Sequence, residues 1–154
     1  MREIKFRAWD KKHKKMLEGY KHPYGHSGLW LNIETGNLTH IQRGEEGVEC
    51  SIYEFKDVLL MQYTGLKDKN GVEIYEGDII GYPNQSFKSI VRFGSYLFTG
   101  GEYGESGIGF YLEMYNKGIK KSMEGGIFNH PSVKDVVIGN IYENPELLVK
   151  EENA

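Results

Sequence analysis

The sequence predicts a mainly β protein, a small barrel or sandwich. Three observations predict it. Short runs alternate apolar and polar residues with the two-residue period of a strand. Turn signals separate these runs closely, and no long amphipathic helix pattern intervenes. Glycine is abundant, 20 of 154 residues, and lies between aromatic and β-branched runs, with 11 Tyr and 7 Phe. A glycine inside a helix costs about 1 kcal/mol relative to alanine, whereas tight turns use it freely.

The first run, "EIKFRAW" at residues 3–9, alternates: Ile4, Phe6 and Ala8 share one face, and Lys5, Arg7 and Trp9 share the other. We read it as a half-buried strand with the basic residues and Trp9 outward. "DKKHKK" is a charged turn, and "KMLEG" returns as a second short strand. Residues 19–28 form a loop broken by Pro23 and three glycines. "LWLNI" and "LTHI" make a hairpin across "ETGN". Residues 42–49 are polar and mark a boundary between subdomains. In residues 52–66, Ile52, Phe55, Leu59 and Leu60 have near-helical spacing, so a short helical turn precedes a strand at 60–66.

"KDKNGVE" then turns the chain at Asn70-Gly71, two residue types that tolerate positive φ. The strand "EIYEGDIIGY" is bent at Gly77-Asp78, with Asp78 accepting backbone N–H bonds at the bend and Glu76 facing solvent. "KSIVRFGSYLF", "IGFYLEMY" and "DVVIGNIY" are further strands, and residues 99–107 are a glycine-rich acidic loop. Asn144 suits an N-cap and Pro145 the first position of a helix, so a helical turn closes the fold. Leu66, Val72, Ile74, Ile79 and Ile80 supply core surface.

The length suits one domain or two small ones, large enough for a core without staples. Net charge is −3, so the chain lacks the basic balance typical of a nucleic-acid binder, although a local basic patch is compatible with it. The single cysteine, Cys50, cannot form an internal disulfide and reads as a small half-buried residue. The N-terminus carries charges and no apolar leader segment, and the longest apolar run is four residues at 58–61. These features predict a protein of the cytoplasm with no membrane partner. On that reading "NLT" at 37–39 is a turn rather than a glycosylation site.

Motifs that would carry chemistry are weak. The glycines of residues 100–109 lack the GxGxxG spacing, a strand follows them, and Glu102 and Glu105 would repel phosphate. His22 and His26 are interrupted by Pro23 and Gly25. His13, His40 and His130 have no ligand at metal spacing, and all five read as surface histidines. Cys50-Ser51 has no histidine motif and no nucleophile elbow surrounds it. Glu76 and Asp78 could form an acid–base pair, but strand-surface and turn roles explain them better. We therefore expect no catalytic residues, no cofactor and no metal. One surface suits nucleic acid: Arg2, Lys5, Arg7, Lys11, Lys12, Lys14 and Lys15 beside Trp9, cations for phosphates and a ring for bases. The competing reading is a solvated strand face with a lysine-tipped turn that guards an edge.

Three segments in order, "IKFRAWD", "MQYTGLKDKNGVEIYEGDII" and "VIGNIYENPELL", resemble the YopX family of phage and prophage proteins. The likeness covers both ends and the centre. It implies a protein encoded by a phage or prophage and acting in the bacterial cytoplasm, with an SH3-like barrel and self-association. The implied organisation is an N-terminal β-hairpin subdomain at 1–50, an SH3-like β-barrel core at 51–149 and a disordered tail at 150–154. The resemblance supplies no catalytic residue. The matching positions Tyr63, Gly65, Asp68, Asn70, Gly71, Tyr75, Gly77, Asp78, Gly139, Asn140, Asn144 and Pro145 read as determinants of the fold. The functional expectation is a non-enzymatic, homo-oligomeric module that binds a host or phage protein, with nucleic-acid binding through the N-terminal hairpin as the alternative and an enzyme as the least supported.

Overall fold

The structure, a computed structural model, describes residues 3–17, 28–32, 34–35, 37–44, 47–81, 87–98, 105–116, 119–126 and 136–149. Arg2, His22, His26, His130 and the tail at 150–154 lie outside the described residues. The fold is mainly β. Twelve strands are described, each paired antiparallel to its neighbours, with 3-10 turns at Phe55–Asp57 and Pro145–Leu148. The chain forms two compact units that divide between Gln62 and Tyr63.

The unit of Ile4–Gln62 holds β1 (Phe6–Asp10), β2 (Lys15–Leu17), β3 (Gly28–Asn32), β4 (Asn37–Gly44), β5 (Gly47–Glu54) and the first half of β6 (Val58–Lys67). β1 lies between β2 and β6, and β3–β4–β5 is a separate meander. Ala8, Leu17, Leu38 and Val58 form the core, with Leu29, Tyr53, Phe55 and Leu60 packed on it. The β3–β4 hairpin follows its alternating pattern, and the Asn32 side-chain oxygen accepts the Glu34 and Thr35 N–H groups at 3.0 Å. Residues 42–49, expected to mark a boundary, are the closed end of the β4–β5 hairpin, where Gly44 pairs with Gly47. Polarity there reflects an exposed hairpin end rather than a linker. Cys50 is exposed, and His40 is buried opposite Ser51, so both expectations for those residues are corrected.

The faces of β1 also differ from expectation. Trp9 is buried, while Ile4 and Phe6 are 71% and 38% exposed. Alternation tells which residues share a face, and not which face turns inward. Ala8, Trp9 and Asp10 are buried in succession, so both faces of β1 are covered where it enters the turn.

The other unit holds the second half of β6, then β7 (Glu73–Tyr75), β8 (Asp78–Gly81), β9 (Phe87–Phe98), β10 (Glu105–Asn116), β11 (Ile119–Gly126) and β12 (Val136–Asn140). Five strands make one sheet in the order β11–β10–β9–β8–β12. Ile74, Ile80, Val91, Phe110 and Leu112 form its core, with Leu66 and Val137 packed against them. Each such side chain contributes about 1.5–3 kcal/mol on burial. Val72, expected in the core, is 48% exposed beside the turn. Residues 105–107, expected in a loop, belong to β10, because Tyr96 and its neighbours on β9 pair with them.

Candidate functional site

The residues of the central motif converge on backbone geometry. Asp68 is buried, and its carboxylate accepts the N–H groups of Asn70 (2.8 Å), Val72 (2.9 Å) and Val137 (3.0 Å), the last from a strand 69 residues away. Burial disfavours its charge, but the Val137, Val72, Asn70 and Gly71 N–H groups outweigh that and hold the carboxyl below its usual range. The Asp68–Gly71 turn closes through Gly71 N–H to the Asp68 carbonyl (3.0 Å) and Asp68 N–H to the Val72 carbonyl (2.8 Å). Gly71 has φ +84°, whereas Asn70 stays at negative φ. The loop is therefore a type I-like turn followed by a left-handed glycine, and only Gly71 needs the positive φ assigned to both residues.

The remaining motif positions do similar work. Thr64 is fully buried; its hydroxyl donates to the Ile74 carbonyl (2.9 Å) and accepts the Leu66 N–H (3.1 Å). Those bonds span the irregular register between Tyr63 and Lys67, where Gly65 has φ +89°. Tyr63 and Tyr75 stack with centroids 5.4 Å apart, and the Tyr75 hydroxyl donates to Glu73 (2.8 Å). Asp78, fully buried, accepts the Tyr75 N–H at 2.7 Å, which spends one oxygen of the expected acid–base pair on a turn. Gly77 donates to the Val91 carbonyl and accepts from Ile141 N–H, and a Cβ there would lie 3.3 Å from Tyr142. Asn140, buried, accepts the Tyr142 and Glu143 N–H groups (3.0 and 2.9 Å) and donates to Glu143. Gly139 leaves room for Asn144, whose side-chain oxygen would be 2.5 Å from a Cβ. That oxygen accepts the Asn140 N–H (3.3 Å). Asn144 thus makes no side-chain cap on the Pro145–Leu148 turn; the expected cap residue faces back to Asn140.

Glu76, expected at the solvent face, is half-buried in the β7–β8 turn. Burial pushes its carboxyl up, opposed by the Arg92 charge and by the Phe93 N–H it accepts. Arg92 also holds the buried Glu113, Nε to Oε2 at 3.1 Å, and the Tyr115 hydroxyl donates to the same oxygen at 3.2 Å. This carboxylate–arginine cluster balances charge at the root of the β9–β10 hairpin. Its signal in the sequence is only cross-strand spacing, invisible before the register is known.

The basic N-terminal surface is partly assembled. Lys11, Lys12, Lys14 and Lys15 are exposed, whereas Lys5 and Arg7 are half-buried. With Trp9 buried, the expected stacking ring is not at that surface. Asp10 shapes the turn: it accepts the Lys12 and His13 N–H groups at 2.9 Å and contacts His13 Nδ1 at 2.6 Å. Burial opposes the Asp10 charge, yet the His13 and Lys12 bonds prevail and hold its carboxyl low. His13 therefore has a carboxylate partner three residues back, which the metal-spacing test passed over. Lys14 takes φ +50° at the tip. Among the described residues no group of three or more His, Cys, Asp or Glu side chains is placed to hold a metal ion, and no helix is long and apolar enough to cross a membrane.

Sequence reasoning missed one surface. β9 and β10 pair without a break from Phe98–Glu105 to Phe87–Asn116. Directly opposed residues share a face, so Val91, Phe93 and Leu97 line up with Leu112, Phe110 and Ile108. At the root these residues are core. Toward the loop end the same row is open: Phe93 is 51%, Leu97 58% and Ile108 82% exposed. On the other face Tyr96 lies over Gly107, where a Cβ would come within 3.0 Å of the ring, and Tyr96 and Tyr111 approach to 6.0 Å between centroids.

A model of the YopX family, described as "YopX protein", matches residues 5–149. The chain is similar to a solved structure described as protein EF1440 from Enterococcus faecalis, at 28% identity, over 96% of this chain and 99% of that one, with a TM-score of 0.44. No curated protein matches.

Proposed function

We propose that this chain, which belongs to the YopX family, is a non-enzymatic interaction module. On this reading it is of phage or prophage origin, self-associates, and binds a host or phage protein in the bacterial cytoplasm. Its β6–β12 unit is read as an SH3-like barrel. The observation that carries the proposal is the open apolar row of Phe93, Leu97 and Ile108, on a strand pair whose other apolar residues are core. Soluble proteins expose such contiguous rows where another surface docks. A non-enzymatic role is supported by how Asp68, Asp78 and Asn140 are used, since each directs carboxylate or amide oxygens to backbone N–H groups.

Affinity capture from phage-infected bacterial lysate tests the reading, with wild type beside a Phe93→Ser/Leu97→Ser variant. A partner retained by wild type across moderate salt and lost by the variant is the expected result. No retained partner, or equal retention by both chains, overturns it.

A second reading rests on the lysine turn. Lys11, Lys12, Lys14 and Lys15 project from a tip that Asp10 holds in shape, which suits a run of phosphates without base stacking. A gel shift with single- and double-stranded DNA and RNA at low salt decides it. Counterion release makes binding strongest there, so undetectable affinity at low salt removes the reading.

A further inference from the structure

The open half of the β9–β10 hairpin has a free edge as well as an apolar face. Gly77 N–H donates to the Val91 carbonyl at 2.8 Å, and Glu76 accepts the Phe93 N–H. Val91 and Phe93 therefore turn their backbone groups away from β10. Backbone direction alternates along an antiparallel pair, so the residues opposite their odd-numbered series turn away from β9. Those residues include Ile108, opposite Ser95, and Ser106, opposite Leu97. β11 ends at Gly126 beside Tyr111, and no described strand lies alongside Ser106 or Ile108. Natural edges are guarded by charge, proline or a covering element. The stretch Ser106-Gly107-Ile108-Gly109-Phe110 has neither charge nor proline.

We propose that this edge pairs with the same edge of a second copy, antiparallel, about a two-fold axis at Gly107. The proposal rests on the reading of the hairpin as a binding surface and assigns its occupant. In this register Ser106 of one copy faces Ile108 of the other, so both outward-facing residues on each copy exchange their backbone hydrogen bonds. Gly107 meets its own symmetry mate as a non-hydrogen-bonded pair, where Cα atoms approach to about 4.5 Å and a missing side chain is an advantage. Identical uncharged edges do not repel, as a two-fold contact requires. Area points the same way. The exposed parts of Phe93, Leu97 and Ile108 present on the order of 300 Å² per copy. That is short of the roughly 800 Å² per partner of a stable interface. A face-to-face contact would be undersized, whereas edge pairing adds main-chain bonds and joins the two apolar rows on one face of a four-stranded ribbon.

Light scattering coupled to size exclusion, over a wide concentration range, reads the pairing. Wild type is expected at twice the chain mass. Ile108→Lys and, separately, Ser106→Lys place a charge on an already exposed edge, and are expected at the mass of one chain with melting curves like that of wild type. The register is read by mixing Ser106→Cys with Ile108→Cys, both in a Cys50→Ala background: mild oxidation should give the mixed dimer in excess over either self-linked dimer. A monomeric wild type, an odd-numbered assembly, a dimer that both lysine variants leave intact, or absence of the mixed dimer overturns the pairing. A chain that captures a partner from lysate yet stays monomeric overturns this inference and leaves the interaction reading standing.

Discussion

Two aspartates build two turns in this chain by the same chemistry and to different reach. Asp10 and Asp68 are both buried, and each points a carboxylate at the N–H groups of the residues that follow. Asp10 keeps its bonds local: Lys12, the His13 backbone and the His13 ring. Asp68 uses one oxygen for its own turn and gives the other to Val137, on a strand from the far end of the sequence. The first device shapes a loop, and the second ties a loop to a sheet. A local Asx turn can be rebuilt by many residues, whereas a carboxylate shared between distant strands is replaceable only by another two-oxygen acceptor.

Substitution by asparagine separates the two roles, since it keeps one oxygen and replaces the other with a donor. Asp68→Asn preserves the turn bonds but sets an NH2 against the Val137 N–H, and should cost about 2–3 kcal/mol in denaturant unfolding. A loss no larger than that of Asp10→Asn would show that the long-range bond adds nothing. Next in size is Gly71→Val. A β-branched residue at φ +84° should cost about 1–2 kcal/mol by thermal or chemical melt, with Gly71→Asn recovering part of it. Asp10→Asn retains both backbone bonds and loses the charge pairing with His13, so the expected cost is about 0.5 kcal/mol.

Acid titration sharpens the same contrast. The carboxyls of Asp68 and Asp10 are both held below their ordinary value, so their contribution is complete above the unfolded pKa of about 3.9. It disappears as pH falls through the lower folded value. Wild type and Asp68→Asn should therefore converge in stability at strongly acid pH and separate toward neutrality; a constant gap at every pH would refute the assignment. The smallest effect belongs to Glu76, with the opposite sign. Its raised pKa means that its contribution is present below the unfolded value and lost as pH rises through the folded one. Glu76→Gln should make stability less dependent on pH between acid and neutral conditions, measured as the change in melting temperature.

Much of the strand order was legible because alternation and turn residues are local properties. The β3–β4 hairpin, the helical turn before β6, the bend at Gly77 and the β9 and β10 runs follow from them directly. What local patterning leaves open is which face of a strand is inward and which donors a polar side chain reaches. Trp9 illustrates the first: its alternation was read correctly and its face was assigned the wrong way round, because the exposed Ile4 and Phe6 looked like core. Asp68 illustrates the second, since nothing near it in sequence announces Val137. The apolar row at Phe93, Leu97 and Ile108 was hidden for a third reason. Its residues continue a core pattern, and only the tertiary arrangement shows where the core stops.

The bond from Val137 to Asp68 also sets a clock for synthesis. The Ile4–Gln62 unit is complete in sequence before Asp68 is made, and can fold while translation continues. The other unit cannot satisfy the Asp68 carboxylate until 69 further residues have been added, roughly 3–14 s at bacterial elongation speeds of about 5–20 residues per second. Through that interval β8 waits for β12, the neighbour that will cover one of its edges in the finished sheet. The strands carrying the family's central motif are thus the ones most exposed to mispairing on the ribosome, and a chain stalled before Val137 would retain a folded N-terminal unit followed by an unfinished sheet.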